Sequence, residues 1–117
     1  MTEGISLVEA VDLALAHEMG VDDRVVVLGE DVGVAGGVFR ATDHLLARFG
    51  PDRVVDTPLA ETAIAGMAIG LATEGMRPVA EIQFTGFIYP AIDQIANHAS
   101  RLRNRTRGRL TCPMVLR

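Results

Sequence analysis

The apolar positions of this chain follow two patterns, one typical of buried strands and the other of helices with an apolar face. Short apolar runs bounded by polar or turn residues predict strands, at residues 24–29, 53–56, 77–84 and 113–117. Apolar residues that recur every three or four positions predict helices, at residues 7–19, 42–49, 60–74 and 89–105. Because strands and helices alternate, we expect an α/β fold with a mostly parallel sheet and helices on both faces.

Signals at the helix ends support these assignments. Ser6 and Glu9 have the spacing of a capping box, and Gly20 is expected to end the first helix. Thr42 is expected to cap the second helix, and Gly75 follows the third at the position where glycine commonly stops a helix.

In folds of this class, ligands bind at the carboxyl ends of the strands, in the loops that lead into helices. Three segments occupy such positions: GEDVGVAGG at 29–37, DTPLAE at 56–61 and FTGFIYP at 84–90. We therefore expect any functional site to be built from these three loops.

Charge is distributed unevenly over the 117 residues, a length that suits one domain. Residues 1–93 carry fifteen acidic side chains and five arginines, whereas residues 94–117 carry six arginines and no acid. A basic end is one signature of nucleic-acid binding. No aromatic residue lies among these arginines, however, and the rest of the chain would repel phosphate, so a solvated face or an acidic protein partner is the better expectation.

The remaining composition favours a cytoplasmic protein without a membrane segment. A single cysteine, Cys112, allows no internal disulfide, and no apolar run has the length of a signal peptide or a membrane span. His17, His44 and His98 lack the spacing of metal ligands, so no metal site is predicted.

The third predicted helix opens with a single carboxylate, Glu61, directly after an Asp-Thr-Pro turn. An acidic first turn is favoured by the helix dipole, by about 0.5 kcal/mol, and this effect alone would explain Glu61. The rest of the helix has almost no polar side chain, which predicts that the helix is buried and that Glu61 needs a partner.

The same helix contains Gly66 and Gly70, four positions apart. Each glycine costs about 1 kcal/mol relative to alanine in a helix interior, so the pair indicates close approach by another segment. Packing within the domain and packing against another chain both fit this pattern.

Four stretches together resemble the beta subunit of thiamine-dependent 2-oxo acid dehydrogenases, the first components of the pyruvate and branched-chain complexes. They are residues 26–42, 48–58, 56–84 and 87–106. The resemblance implies that residues 1–117 form the N-terminal part of a transketolase-like domain that binds the pyrimidine ring of thiamine diphosphate, with no second domain in this chain.

The resemblance also implies roles for individual residues. Glu61 matches the family's activating glutamate, whose carboxyl group bonds a ring nitrogen of the aminopyrimidine and favours the imino tautomer that removes the thiazolium proton. Gln83 would hydrogen-bond the pyrimidine edge, Phe87 would stack on its face and Leu59 would contribute a backbone contact. On their residue types alone, Gln83 is equally a polar strand end, and Phe87 an ordinary core aromatic.

Further expectations follow from the same family. Gly66 and Gly70 would pack at the subunit interface. Glu30 and Asp31 match an acidic block of the family loop, although such a pair is equally a solvated loop. Some relatives bind a structural K⁺ through backbone carbonyls near the strand at 113–117.

The implied partners are an alpha subunit in a heterotetramer, which holds the diphosphate and Mg²⁺, and an acyltransferase that carries lipoyl groups. The substrate would be a 2-oxo acid, either pyruvate or a branched-chain acid, and the hydroxyketone acetoin, which such subunits also use, stays open as well. Relatives continue beyond residue 117, so we expect a fragment, a truncated product or part of a split subunit, inactive as an isolated oxidoreductase. The alternative is a non-catalytic α/β module that serves only assembly or binding.

Overall fold

The computed structural model describes residues 4–117 and contains one parallel sheet of four strands. The strands are β1 (Val25–Gly29), β2 (Val54–Asp56), β3 (Arg77–Glu81) and β4 (Val115–Leu116). Their order across the sheet is β2-β1-β3-β4, and every neighbouring pair is parallel. The prediction of an α/β fold with a mostly parallel sheet is confirmed.

Helices connect and cover these strands. They are α1 (Leu7–Val21), α2 (Leu45–Phe49), α3 (Glu61–Thr73) and α4 (Leu102–Arg105). Between β3 and α4 the chain forms two 3₁₀ turns and a π-helical segment, at Thr85–Phe87, Tyr89–Ala91 and Gln94–Ala99. No helix within residues 4–117 has both the length and the apolar character required to cross a membrane.

The core consists of two clusters, because alternate side chains of a strand point to opposite faces of the sheet. Val25 and Val27 of β1 pack with residues of α1 and α2 on one face. Leu28 of β1 packs with Ile64 and Ala68 of α3 on the other. All five residues of β1 are buried, as expected for the central strand of a parallel sheet.

The first helix has the predicted cap at its start, but it ends later than predicted and its first apolar residue is exposed. The Glu9 amide donates to the Ser6 hydroxyl and the Ser6 amide donates to the Glu9 carboxylate, which confirms the capping box. The helix continues to Val21, one residue beyond the predicted stop at Gly20. Leu7, the first residue of the helix, is 82 % exposed.

The predicted cap of α2 by Thr42 is wrong. Thr42 is fully buried, and its hydroxyl donates to the carbonyl of Val32 at 2.7 Å. The residue at the start of α2 is His44, which lies in the left-handed region (φ 69°) and makes no side-chain capping bond. The Thr42 hydroxyl, which the local pattern predicts to cap the helix, instead donates to a carbonyl ten residues earlier in the chain.

The segment after β3 also differs from the prediction. β3 ends at Glu81 rather than at residue 84, and the expected continuous helix over 89–105 is interrupted. The Ser100 amide donates to the Ile95 carbonyl, a five-residue step, and the Ser100 hydroxyl bonds the Ala96 carbonyl at 2.6 Å. These bonds widen the helix and bend the chain before α4.

Candidate functional site

The carboxyl ends of the three longer strands meet at one edge of the sheet. Gly29, the last residue of β1, is aligned with Asp56 of β2 on one side and with Glu81 of β3 on the other. The loops that follow these strands are therefore neighbours. They are the three loops that the sequence predicts as ligand-binding.

Gly29 and Glu81 are packed too closely for a side chain to be added between them. A Cβ atom at position 29 would lie 2.8 Å from the carbonyl oxygen of Glu81. The Glu81 carboxylate is itself buried and pairs with the guanidinium of Arg117. Burial raises the pKa of Glu81, and the positive charge of Arg117 opposes that shift.

Asp56 organises the glycine-rich loop that follows β1. Its carboxylate accepts hydrogen bonds from the amide of Gly33 at 2.6 Å and from the amide of Val34 at 3.0 Å. A Cβ atom on Gly33 would lie 2.8 Å from the same carboxylate, so the close approach requires glycine. Asp56 was not among the predicted site residues; the only sequence signal was an acid at a strand end that precedes a ligand loop.

Glu61 is the first residue of α3 and is half-buried, whereas the sequence predicts a buried helix with a partner for this carboxylate. None of the hydrogen bonds or ion pairs found within residues 4–117 uses its carboxylate. Its position in the first helical turn favours a negative charge there. The carboxylate is therefore available to a ligand at the edge of the sheet.

Glu30 lies in the same corner of the site. Burial raises the pKa of the Glu30 carboxyl, and the negative charges of Asp31 and Glu61 add to this rise. The structure therefore brings Glu30 within electrostatic range of Glu61, although the two residues belong to different loops.

Gln83 lies two residues beyond the end of β3 and connects two of the loops. Its side-chain amide donates to the backbone carbonyl of Glu30 at 3.4 Å, near the long limit for a hydrogen bond. Gln83 is half-buried, so its amide can be reached from the site. A bond this long is weak enough to be exchanged for one to a ligand.

Three phenylalanines form a connected group beside these polar residues. Phe87 and Phe84 meet edge to face with 5.4 Å between ring centroids, and Phe84 meets Phe39 in the same way at 5.8 Å. Each ring is about half exposed, at 45 %, 44 % and 57 % for Phe87, Phe84 and Phe39. The sequence analysis singles out only Phe87. The contact between Phe84 and Phe39 joins residues 45 positions apart, which no local pattern reveals.

Leu59 precedes α3 in the second ligand loop and is 68 % exposed. No backbone hydrogen bond found in the described part of the chain uses its amide or carbonyl. Both groups are free of internal hydrogen bonds, and the backbone contact that the resemblance implies for this residue stays a prediction.

The two glycines of α3 have different surroundings. A Cβ atom on Gly66 would lie 3.5 Å from the side-chain oxygen of Gln94, and the nearby Thr62 hydroxyl donates to the Pro90 carbonyl at 2.7 Å. The 3.5 Å separation is an ordinary contact distance, so packing within the chain does not require glycine at position 66, and its predicted place at a subunit interface stays a prediction. Gly70 is exposed with no atom within 4 Å of such a Cβ, and its predicted place at a subunit interface stays a prediction.

No group of three or more potential metal-ligating histidine, cysteine, aspartate or glutamate side chains occurs within residues 4–117. The chain that follows the strand ends carries the Glu30 and Glu61 carboxylates, the Gln83 amide and the half-exposed Phe87 ring. This combination suits a planar ligand that carries nitrogen hydrogen-bonding groups.

Comparison with known protein families gives one match that covers almost the entire chain. The family described as "Transketolase, pyrimidine binding domain" matches residues 3–117. The chain belongs to this family.

Individual relatives of this pyrimidine-binding domain agree with that assignment. The chain is 52 % identical over all of its 117 residues to the 3-methyl-2-oxobutanoate dehydrogenase subunit beta of Mycobacterium tuberculosis. It is 54 % identical to the 2-oxoisovalerate dehydrogenase subunit beta of Bacillus subtilis and 50 % identical to the pyruvate dehydrogenase E1 component subunit beta of the same species, over 97 % of the chain in each case. The chain spans about a third of the length of these relatives, 34 % or 35 %.

Proposed function

We propose that this chain supplies the pyrimidine-binding part of the first component of a 2-oxo acid dehydrogenase that uses thiamine diphosphate. The observation that carries the proposal is that the carboxyl ends of β1, β2 and β3 are aligned at one edge of the sheet, so that the chain leading from them to Glu61, Gln83 and Phe87 starts from neighbouring positions. The identity of about half the residues to beta subunits of such dehydrogenases supports it.

The residues present fit an aminopyrimidine ring. The Glu61 carboxylate has no partner among the described side chains and would hold a proton at a ring nitrogen. Gln83 offers both a donor and an acceptor to the ring edge, and Phe87 offers an exposed aromatic surface for its face. Leu59 would add a backbone contact.

The environment of Glu61 suits this role. Its place in the first turn of α3 stabilises the carboxylate before the ring binds, and partial burial strengthens the hydrogen bond that then forms. The bound cofactor supplies the chemistry that decarboxylates the 2-oxo acid, and the residues of this chain orient it and exclude water.

The complete reaction requires other chains. In this proposal an alpha subunit holds the diphosphate and Mg²⁺ in a heterotetramer, with Gly66 and Gly70 at a subunit contact, and the acyl group passes to a lipoyl group of an acyltransferase. The substrate is pyruvate or a branched-chain 2-oxo acid. A structural K⁺ bound by carbonyls near β4 belongs to the same proposal, as does the absence of activity in the isolated chain.

Binding of thiamine diphosphate tests the proposal directly. The protein is mixed with a candidate alpha subunit, and the affinity is measured by isothermal titration calorimetry for wild type, Glu61→Ala and Glu74→Ala. Glu74 lies at the exposed far end of α3 and is the matched control. We expect Glu61→Ala to weaken binding about tenfold or more, because a hydrogen bond to a charged carboxylate is lost, and Glu74→Ala to have no effect.

Equal affinity of the two variants would contradict the role of Glu61. Mixing that produces no cofactor binding in wild type would instead favour the alternative, a non-catalytic module that serves assembly.

A further inference from the structure

Glu81 is the only charged residue that is buried within residues 4–117, and the proposed function does not use it. Its side chain is 8 % exposed and pairs with the guanidinium of Arg117. Taking two charges out of water offsets most of their mutual attraction, so a buried ion pair adds little to net stability. Such a pair does fix the geometry of the segments that carry the two charges.

The end of β3 is bonded to Arg117 at three successive residues. The Arg117 amide donates to the Ala80 carbonyl and the Ile82 amide donates to the Arg117 carbonyl, both at 2.9 Å. Between them, the Arg117 guanidinium donates to the Glu81 carboxylate. On the other edge of β3, the last residue of β1 packs against the Glu81 carbonyl with no room for a side chain between them. The chain therefore leaves the sheet from a position that is fixed on both sides.

The Glu81 carboxylate also lies against the glycine-rich loop at residues 30–37. A Cβ atom on Gly37 would lie 3.7 Å from a carboxylate oxygen of Glu81 and 3.0 Å from the hydroxyl of the buried Thr42. Gly37 is left-handed, with φ of 81°, and its amide donates to the Asp31 carbonyl at 2.7 Å. One carboxylate thus lies between the loop that follows β1 and the residue that follows β4.

We propose that Glu81 and Arg117 are positioning residues, which fix the end of β3 relative to the glycine-rich loop and so determine where the Gln83 side chain lies. Gln83 comes two residues after Glu81, and its amide donates to the carbonyl of Glu30, the first residue of that loop. Both partners of this hydrogen bond therefore depend on the pair. The consequence for cofactor binding rests on the proposed function, in which Gln83 bonds the pyrimidine edge, whereas the geometric role does not.

A purely structural role would have a different signature. If the pair only held β4 in the sheet, its loss would lower stability throughout the chain and affect the glycine-rich loop no more than other segments. The ion pair at the opposite end of β3 is the matched control. It joins Arg77, the first residue of the strand, to the Asp22 carboxylate at 3.4 Å. Arg77→Gln therefore removes an ion pair from the same strand and leaves the end that leads to Gln83 intact.

Hydrogen exchange of the purified protein, followed by mass spectrometry, tests the geometric role without any cofactor. We expect Glu81→Gln to accelerate exchange about tenfold or more in peptides that cover residues 30–37 and 82–87, because their amide hydrogen bonds open more often once the charge is lost. Exchange in α1 and β1 should stay unchanged, and Arg77→Gln should leave the two named peptides unaffected.

Substitution of Arg117 gives a second check. Arg117→Gln leaves the buried Glu81 carboxylate unpaired, so it should accelerate exchange in the same peptides at least as much as Glu81→Gln. The double variant should be no worse than Arg117→Gln, because the unpaired charge is then gone. Circular dichroism checks the folding of each variant. Glu81→Asp, which keeps the charge but shortens the side chain, replaces Glu81→Gln if that variant does not fold, and should accelerate the same peptides.

Calorimetry with a candidate alpha subunit tests the consequence for thiamine diphosphate. We expect Glu81→Gln to weaken binding about fivefold, the contribution of one neutral hydrogen bond, and Arg77→Gln to weaken it by less than about twofold. Unchanged affinity in Glu81→Gln would contradict this consequence.

Unchanged exchange in the two peptides, or an equal rise throughout the chain, would overturn the proposal. A wild type that binds no cofactor would instead overturn the proposed function, and exchange alone would then decide the role of Glu81 and Arg117.

Discussion

Asp56 shows how one carboxylate sets the shape of a binding loop. It ends β2, yet its oxygens accept hydrogen bonds from two successive amides of the loop that follows β1. Such amides have no partner in a regular strand or helix, so the carboxylate supplies the interaction that the loop itself lacks. The position of the glycine-rich loop over the site thus depends on a residue of the neighbouring strand.

Replacing Asp56 with alanine should therefore loosen the loop. We expect the free energy of unfolding to fall by about 1–2 kcal/mol, because two hydrogen bonds to a charged acceptor are lost at a partly exposed site. Urea denaturation measures the change, and Asp52→Ala is the control, since Asp52 is exposed before β2 and makes no side-chain bond found in the described chain. Equal stability of the two variants would show that the loop holds its shape without Asp56.

The sequence predicts part of the proposed site at this scale. The structure places Glu61 at the end of the second loop, Phe87 in the third and Gln83 between β3 and that third loop, and their roles toward a ligand stay predictions. Asp56, Phe39 and Phe84 were not predicted, because their importance comes from contacts with other loops. The hydrogen bond from Gln83 to Glu30 joins residues 53 positions apart, a separation that no local pattern reveals.

At the scale of the elements, Arg53 joins α1 to the sheet. Its guanidinium donates to the carbonyls of Met19, Asp22 and Val25 at 2.8–2.9 Å. The first two carbonyls lie at the end of α1, where the helix cannot satisfy them itself. The third belongs to β1, so one side chain fixes the angle between the helix and the central strand.

We expect Arg53→Met to destabilise the protein by about 2–3 kcal/mol, because three carbonyls lose a charged donor while the apolar part of the side chain is kept. Thermal denaturation monitored by circular dichroism measures the effect. Arg48→Met, which changes a neighbouring exposed arginine, should shift the transition much less. A similar shift in both variants would indicate that packing on Phe49 matters more than the three hydrogen bonds.

Asp22 makes a second connection between elements, and it depends on pH. Hydrogen bonds from the side chain and amide of Arg24 lower the pKa of Asp22 from 3.8 to about 2, with a smaller contribution from the charge of Arg77. Because the folded-state pKa lies below the unfolded value, this stabilisation is complete above about pH 4. It is lost as the pH falls toward 2.

The lowered pKa of Asp22 predicts how the stability of wild type and of Asp22→Asn should differ with pH. Wild type should be more stable than the variant at neutral pH, and the two should converge between pH 4 and pH 2. Urea denaturation at a series of pH values measures the difference. A stability difference that stays constant across this range would show that the charge of Asp22 is unimportant.

For the whole molecule, α3 is the element whose exposed side has no explanation within the chain. Its inner face packs on β1 and β3, and Gly66 faces Gln94, but the surroundings of Gly70 are open. A helix glycine that costs stability and serves no internal contact is consistent with the proposed packing against another subunit.

Gly70→Ala separates the effect of this glycine on helix stability from its effect on subunit association. Within this chain it should raise the free energy of unfolding by about 0.5–1 kcal/mol, because alanine favours the helix and its Cβ meets no atom. If the proposed interface exists, the same change should weaken subunit association, as measured by analytical ultracentrifugation. Gly66→Ala, at the other glycine of the proposed contact, should weaken association as well, although its Cβ also meets Gln94 at 3.5 Å within the chain.

The sequence by itself determined the α/β class and the alternation of strands and helices, and it predicts the three loops in which we propose that the site lies. These features depend on local patterns of apolar residues, glycines and capping groups, which act over a few positions. Tertiary structure alone decided the β2-β1-β3-β4 order, the role of Asp56 in the glycine-rich loop and the loss of the Thr42 cap. The Asp56 contact joins residues 23 positions apart and the Arg53 contact with Met19 joins residues 34 apart, so both form only when the packed sheet brings distant segments together.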